Sequence, residues 1–248
     1  MSGKVLTSCT DGVLHLVFNR EERKNALDRE TYLALIEALH AACGDDAVRA
    51  VLFSGAGADF TAGNDLADFR DFAQNIETFP ALAFVRAVAA FVKPMVAAVR
   101  GDAIGVGTTL LFHCDLVYAE PQARLRMPFI DLGLVPEAGA SLLVPSRFGM
   151  ARASQYLLLG EGFSGEDALQ LGLVNGLGAG EAVLEAAMDA ARKLAAKPAG
   201  ALRASRRLLR GDPAEILARI DEEAALFAKA LATPEARERF AAFFARGK

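Results

Sequence analysis

The sequence predicts an α/β fold, and three observations support this class. After an opening pair of strands, buried strands alternate with helices up to about residue 180. Short loops rich in glycine and alanine follow these strands directly, as at residues 55–64. From about residue 180 onward the pattern becomes almost purely helical. Since 53% of the 248 residues are hydrophobic, the chain can bury a sizeable core.

The first elements are a predicted hairpin and a capped helix. Residues 4–9 and 12–18 alternate in polarity around Asp11-Gly12, which predicts two strands joined by a tight turn. Asp28 is a suitable N-cap for the helix that follows, and Gly44 is a natural stop. The hairpin and the helix therefore open the fold before the alternating region begins.

The alternating region begins with a short buried strand at residues 49–55. The elements after it are a helical pattern at 65–76, a helix at 77–92 that ends before Lys93-Pro94, a strand at 94–101, a buried helix at 105–113 and a strand at 114–120. Four further helices are predicted at 181–196, 200–210, 213–231 and 234–247. No linker is long enough to separate independent domains.

Composition excludes several classes of function. The net charge is −4 and no basic cluster stands apart from acidic neighbours, so we expect no nucleic-acid partner. The three cysteines form no paired pattern, which favours a reducing compartment. The N-terminus lacks an apolar signal region and no apolar run could span a bilayer. We therefore expect a soluble, cytoplasmic protein that does not contact membranes.

Motifs for common cofactors are also missing. "GAGADF" and "GVGTTL" each begin with Gly-x-Gly after a strand, but neither completes a dinucleotide fingerprint or a P-loop. No Gly-x-Ser-x-Gly elbow occurs, and the three histidines lack the spacing of a metal site. We expect no metal and no separate cofactor. The two loops instead suit a close approach of backbone N–H groups to a ligand oxygen.

Five stretches together resemble the enoyl-CoA hydratase/isomerase, or crotonase, superfamily: residues 25–27, 60–69, 93–119, 127–149 and 158–175. The resemblance implies a spiral of ββα units over residues 1–190 that carries the acyl-CoA site. It also implies a helical region over 191–248 that forms a lid or an oligomer contact, giving a homotrimer or a dimer of trimers. Coenzyme A would enter as part of the substrate.

The resemblance assigns two backbone N–H groups, those of Ala62 and Val106, to an oxyanion hole that holds a thioester enolate. Each donor in such a site contributes about 3 kcal/mol. Basic candidates for the CoA phosphates are Arg23, Lys24 and Lys248. The predicted substrate-binding residues are Lys24, Ala26, Gly63, Asn64, Asp65, Leu66, Gly105, Thr109 and Phe129.

Glu137 is the candidate acid–base group. Where hydratases of the family carry two glutamates, this chain has Thr109 and Phe129, so efficient hydration is disfavoured. The remaining pattern resembles the Δ3,Δ2-enoyl-CoA isomerases of the peroxisomal type, in which a glutamate at the position of Glu137 is catalytic. It would carry a proton from C2 to C4, with a pKa raised by the apolar residues Phe129, Leu134 and Val135.

Several alternatives stay open at this level. Glu137 is also what helix-start preferences favour before residues 138–148. Asp131 is a rival acid–base group for hydration, or for isomerisation of a ring-bearing acyl-CoA, although a capping role in the turn before Gly133 also fits it. A protein that binds acyl-CoA without turnover is the alternative from another functional class.

Overall fold

The computed structural model describes residues 3–65 and 80–246. The strands are β1 Val5–Thr10, β2 Val13–Phe18, β3 Ala50–Gly55, β4 Met95–Val99, β5 Asp102–Ile104, β6 Leu116–Ala119, β7 Arg124–Arg126, β8 Gly162–Ser164 and β9 Gly176–Leu177. The helices are α1 Arg29–Gly44, α2 Pro80–Ala90, α3 Val106–His113, α4 Ala140–Leu158, α5 Gly165–Gln170, α6 Glu181–Ala195, α7 Ala199–Arg210, α8 Pro213–Leu231 and α9 Pro234–Arg246.

A six-stranded sheet in the order β1-β2-β3-β4-β6-β9 forms the centre of the fold. β1 and β2 pair antiparallel, as predicted, across a turn in which Asp11 and Gly12 have φ of 53° and 76°. The remaining neighbours in this sheet pair parallel. The α/β class is therefore confirmed.

A second sheet, in the order β5-β7-β8, explains how the chain spirals. β4 lies in the large sheet, β5 lies in the small sheet, and α3 follows. The next turn repeats this pattern with β6, β7 and α4. Each of these two turns thus adds one strand to each sheet before its helix, as in the predicted spiral of ββα units.

Polar side chains close both ends of α1. Asp28 Oδ1 accepts a hydrogen bond from Thr31 N at 2.9 Å, which confirms the predicted N-cap. At the other end the buried Lys93 Nζ donates to the carbonyl oxygens of Ala42, Asp45 and Val48 at 2.6–2.8 Å. Lys93 thereby joins the segment before β4 to the end of α1, and this contact fixes the position of β4 relative to α1.

Helix α6 covers one face of the large sheet through small side chains, which are Val183, Ala187, Ala191 and Ala195. They pack against β2, β3 and β4 residues such as Val13, Leu52 and Val96. The predicted boundary between residues 190 and 191 therefore falls inside a helix that packs as one piece. The separate helical tail begins at α7 instead, because α6 belongs to the sheet core.

The last three helices differ in how they pack against the rest of the molecule. α8 packs against α2 and α4, while α7 buries none of its residues and leaves Leu208 and Leu209 81% and 88% exposed. Asp115 fixes the far end of α7 through hydrogen bonds from Arg206 and Arg210 at 2.8–3.0 Å. The homotrimer or dimer of trimers stays a prediction, which the mass of the protein in solution would check.

The helical pattern at 65–76 and the start of the one at 77–92 lie outside the described residues, apart from residue 65. No helix within residues 3–65 or 80–246 is both long and apolar enough to cross a bilayer. The strands β5, β7, β8 and β9 are only two or three residues long, and their sequences carry no strand pattern that would have predicted them.

Candidate active site

Two loops lie side by side at the entrance of α3. Thr61 and Ala103 form a parallel bridge, in which Thr61 N donates to Asp102 O and Ile104 N donates to Thr61 O, at 2.9 and 3.0 Å. Further along, Gly63 approaches the backbone of Ile104 and Gly105, the two residues just before Val106. Gly63 has φ of 86°, and a Cβ there would lie 2.6 Å from Ile104 O, so the loops can approach this closely only with glycine.

The hydrogen bonds of the first loop correct one predicted donor. Ala62 N donates to Lys24 O at 2.9 Å, so the Ala62 amide is already occupied and was wrongly assigned to an oxyanion hole. Gly63 N donates to Thr61 Oγ1 and Asp65 N to Leu27 O, at 3.0 and 2.9 Å. Asn64 N is thus the amide of this segment that has no acceptor among the described residues.

Val106 supplies the second free N–H group. Val106 is the first residue of α3, where helix geometry provides no acceptor for the backbone N–H, and none is found within the described residues. Gly105 before it has φ of 57° and donates its own N–H to Arg126 O at 2.8 Å. Asn64 N and Val106 N are therefore two backbone donors without an acceptor among the described residues, on loops that approach each other closely at Gly63, and Val106 N lies at the positive end of a helix.

Side chains outside the predicted set hold the first loop in place. The buried Asn25 donates from Nδ2 to Ala56 O and Asp59 O at 2.8 and 2.7 Å. Arg20 donates from both terminal nitrogens to Asp65 Oδ2 at 3.1 Å. Asn25 belongs to residues 25–27, one of the stretches that resemble the crotonase superfamily. Nothing in the local sequence pattern indicated that Arg20 would hold this loop.

Glu137 lies at the side of this donor pair, in the segment between the short helix Ile130–Leu132 and α4. Its Oε1 accepts a hydrogen bond from the buried Thr109 Oγ1 at 2.6 Å. A cavity of about 40 Å³ lies against Glu137, and its other lining residues are Asn64, Ala81, Leu82, Val85, Ala138, Ile220, Ala224 and Phe227. Such a cavity has room for a small part of a ligand beside the carboxyl group.

Burial raises the pKa of Glu137 to about 7. The Thr109 hydrogen bond acts in the opposite direction because it stabilises the ionised form, and the charge of Glu223 raises the pKa further. Apolar side chains of α2 and α8 line the cavity, among them Leu82 and Phe227. The apolar lining of the cavity therefore comes from helices distant in sequence, and the contribution of Phe129, Leu134 and Val135 stays a prediction. Near neutral pH the carboxyl group can both accept and release a proton.

The backbone after Glu137 turns sharply into α4. Ala138 and Gly139 both have left-handed backbone angles, with φ of 59° and 73°. The conformation is costly for alanine, so it needs support from the surroundings. His113 Nε2 lies 2.8 Å from Ala138 O, and burial lowers the pKa of His113 to about 4. A neutral His113 therefore donates its Nε2–H to this carbonyl group.

Tyr32 orients the side chain of Asn64. The buried Tyr32 hydroxyl donates to Asn64 Oδ1. Burial raises the pKa of Tyr32 well above its usual value, and the negative charge of Glu137 adds to this effect. Tyr32 is thus coupled to two residues that line the cavity, to Asn64 by a hydrogen bond and to Glu137 by its charge. Sequence reasoning missed Tyr32, which lies inside an ordinary amphipathic helix and carries no local signal of this role.

The other predicted binding residues fall into three groups. Lys24 Nζ lies 3.2 Å from Asp102 Oδ2, and the Ala26 carbonyl accepts from Arg20 at 2.6 Å, so both engage protein groups at the edge of the first loop. Phe129 is a core residue with 5% exposure and is not among the residues that line the cavity at Glu137. Leu66 and Lys248 lie outside the described residues.

Asp131 is not in the site. It pairs with Arg126 at 2.8 Å, and both side chains are 47% exposed. The carboxylate therefore faces a surface arginine, whereas the alternative roles required it to contact substrate or to cap the following turn. Among the described residues no group of His, Cys, Asp and Glu has the arrangement of a metal site.

The raised pKa of Glu137 predicts a pH-dependent cost to stability. The folded-state pKa of about 7 exceeds the usual glutamate pKa of 4.5, so the unfolded chain gives up this proton first and stability falls as pH rises through this range. Glu137→Gln removes the titration but can still accept from Thr109. We expect the variant to exceed the wild type in unfolding free energy by about 1–3 kcal/mol at pH 8, with the difference vanishing toward pH 4.5. Denaturant unfolding at several pH values measures this, and a pH-independent difference would contradict it.

Comparison with known proteins agrees with this geometry. A family model described as enoyl-CoA hydratase/isomerase matches residues 8–248. The chain therefore belongs to the enoyl-CoA hydratase/isomerase family and is an enzyme of the crotonase superfamily. The structure of OdaA from Pseudomonas aeruginosa superimposes with a TM-score of 0.94 at 44% identity, covering 98% of this chain and 99% of that one.

Characterised relatives carry different activities in their names. The 1,2-epoxyphenylacetyl-CoA isomerase of Escherichia coli is 36% identical, covering 78% of this chain and 77% of the relative. The 2,3-dehydroadipyl-CoA hydratase of the same organism is 34% identical, covering 97% and 95%. Enoyl-CoA delta isomerase 2 of Rattus norvegicus is 35% identical over 88% of this chain, which spans only 57% of that relative. The family is therefore established, whereas these names do not select one reaction.

Proposed function

We propose that this enzyme moves the double bond of a 3-enoyl-CoA thioester to the 2-position, with Glu137 as the single proton-transferring group. The observation that carries the proposal is the hydrogen bond of 2.6 Å between Thr109 Oγ1 and Glu137 Oε1. Thr109 stands where hydratases of the family carry a glutamate. In this chain that position supports Glu137, the one carboxyl group that the described residues bring to the cavity, instead of supplying a second.

The reaction needs a base at C2 and an acid at C4. The ionised Glu137 removes a proton from C2, and the electrons move onto the thioester oxygen as the dienolate forms. The two free amides, Asn64 N and Val106 N, would hold this oxygen in place of the pair first assigned. The protonated Glu137 then delivers the same proton to C4, which leaves the double bond between C2 and C3. A pKa of about 7 suits a group that performs both steps near neutral pH.

The main rival is addition of water to a 2-enoyl-CoA. Hydration must activate a water at C3 and deliver a proton to C2, which in the family involves two carboxylates. Glu137 is the carboxyl group that lines the cavity within the described residues, and Asp131 lies at the surface with Arg126. The name of the rat relative, enoyl-CoA delta isomerase 2, fits the isomerase proposal, whereas the two relatives from Escherichia coli indicate a ring-bearing substrate or hydration.

A matched pair of substrates distinguishes these reactions. The purified enzyme is given 3-enoyl-CoA and 2-enoyl-CoA of equal chain length, over a series from short to long chains. We expect the 3-enoyl substrates to gain the absorbance of a conjugated thioester, and the 2-enoyl substrates to keep it. If the 2-enoyl substrates lose that absorbance faster than the 3-enoyl substrates gain it, the result would favour a hydratase. CoA-thioester binding without turnover of either substrate would favour an acyl-CoA-binding protein.

Replacement of Thr109 should shift the pH dependence of the reaction. The Thr109 hydroxyl lowers the pKa of Glu137, so Thr109→Val should raise that pKa above its present value of about 7. Since Glu137 must be ionised to begin the reaction, the rise of kcat/KM with pH should move upward, by roughly one unit. Thr109→Ser keeps the hydroxyl and is the matched control. An unmoved profile in Thr109→Val would contradict the role given to this hydrogen bond.

A further inference from the structure

A second buried carboxylate lies behind Glu137, on a helix that is distant in sequence. Glu223 belongs to α8 and is only 4% exposed. Its Oε2 accepts a hydrogen bond from Gly139 N at 2.7 Å, and its Oε1 accepts one from Ser141 N at 2.8 Å. A carboxyl group whose two oxygens both accept from N–H groups has the pattern of the ionised form.

The contact replaces a cap that the sequence of α4 lacks. The N-cap position is Gly139, which has no side chain, so the first N–H groups of α4 need an acceptor from elsewhere. Glu223 supplies this acceptor and places a negative charge at the positive end of the helix. It also holds the left-handed segment at Ala138 and Gly139, which is the connection between Glu137 and α4.

The same part of α8 faces the cavity at Glu137. Ile220, Ala224 and Phe227, which lie within one turn or so of Glu223, line it together with Glu137. A shift of α8 would therefore move both the wall of the cavity and the backbone behind the proton-transferring group. Because a displacement of about 1 Å can cost a factor of about a hundred in rate, this link matters for catalysis.

We propose that Glu223 is a positioning residue, which clamps the backbone after Glu137 and places a second negative charge beside it. The inference rests on the proposed role of Glu137 and extends it. Burial raises the pKa of Glu223, whereas the hydrogen bonds from Ser141 and Gly139 and the charge of Arg219 on the same helix act to lower it. Arg219 also pairs with Glu222 at 3.2 Å. From the other elements, Thr109 and the neutral His113 on α3 and Tyr32 on α1 complete the polar surroundings of the Glu137 segment.

A test compares Glu223→Gln with Glu222→Gln. The first variant loses the charge and one of the two acceptors, so we expect kcat to fall between about tenfold and a hundredfold. The pKa seen in the pH profile of kcat should fall by roughly one unit, because a like charge no longer opposes ionisation of Glu137. Glu223→Asp keeps the charge and should retain the pH profile. Glu222 is 64% exposed, and its replacement should change neither quantity.

A second readout needs no substrate. Glu137→Gln is made in the wild type and in Glu223→Gln, and the free energy of unfolding of each pair is measured against pH. The pH dependence of the difference in unfolding free energy within each pair reports the pKa of Glu137. This dependence should shift to lower pH when Glu223 is replaced. Unchanged profiles in both readouts, or a lower kcat with no pKa change in either, would overturn the proposal. If the pH dependence of the stability difference shifts but no 3-enoyl-CoA is turned over, the coupling between Glu223 and Glu137 is upheld and the isomerase function is rejected.

Discussion

Glu137→Gln should reduce conversion of 3-enoyl-CoA to 2-enoyl-CoA by about 10³-fold in kcat, because no other carboxyl group lines the cavity in the described part of the chain. Glutamine keeps the size of the side chain and can still accept from Thr109 Oγ1, which lies 2.6 Å from Oε1. The loss should therefore fall on proton transfer rather than on the fold, and KM should change little. Initial rates followed by the absorbance of the conjugated thioester measure it.

Asp131→Asn is the matched control for this prediction. The change removes an equal charge six residues earlier, but Asp131 pairs at the surface with Arg126. We expect its rate to stay within about twofold of the wild type, as is usual for surface substitutions. If Asp131→Asn were the inactive variant and Glu137→Gln kept full activity, the assignment of the acid–base group would be wrong.

Val106→Pro should lower kcat by about 10² to 10³-fold, since it deletes one of the two amides that would hold the dienolate oxygen in the proposed reaction. Val106 is the first residue of α3, a position where proline is compatible with a helix and where the missing N–H costs no helical hydrogen bond. The test therefore removes the donor while leaving the helix able to form.

Val106→Ala is the control for the proline variant, because it shortens the same buried side chain but keeps the backbone N–H. Its kcat should stay within about tenfold of the wild type, and circular dichroism should show both variants folded. If the alanine variant loses as much activity as the proline variant, packing of the side chain is responsible. The role given to the amide would then be wrong.

The sequence predicted most of the fold because the elements carry their own signals. The Asp11-Gly12 turn, the Asp28 cap and the apolar strands β3 and β4 are local patterns, and each appears where it was expected. The small sheet was missed because β5, β7 and β8 have three residues each, which is too short for a periodic pattern. The predicted boundary between residues 190 and 191 falls inside α6, because the sequence of α6 resembles that of the helices after it and only packing shows that α6 belongs to the sheet.

The site was predictable only in part, for a similar reason. The resemblance identified Glu137, Val106 and Thr109 by position, and the structure places Thr109 and Glu137 in contact. The Ala62 amide was assigned without knowledge of the Lys24 carbonyl that occupies it. Tyr32 and Glu223 reach the site from helices far away in sequence, so no motif could have indicated them.

The central claim is that one carboxyl group, that of Glu137, carries the proton from C2 to C4. The most direct test uses a 3-enoyl-CoA with deuterium at both C2 positions, turned over in ordinary water and analysed by mass spectrometry at the earliest turnovers. The account predicts a 2-enoyl-CoA that retains one deuterium at C2 and carries a transferred deuterium at C4 in part of the product. Product whose new C4 hydrogen comes entirely from solvent from the first turnover, or an equal rate in Glu137→Gln, would contradict the claim.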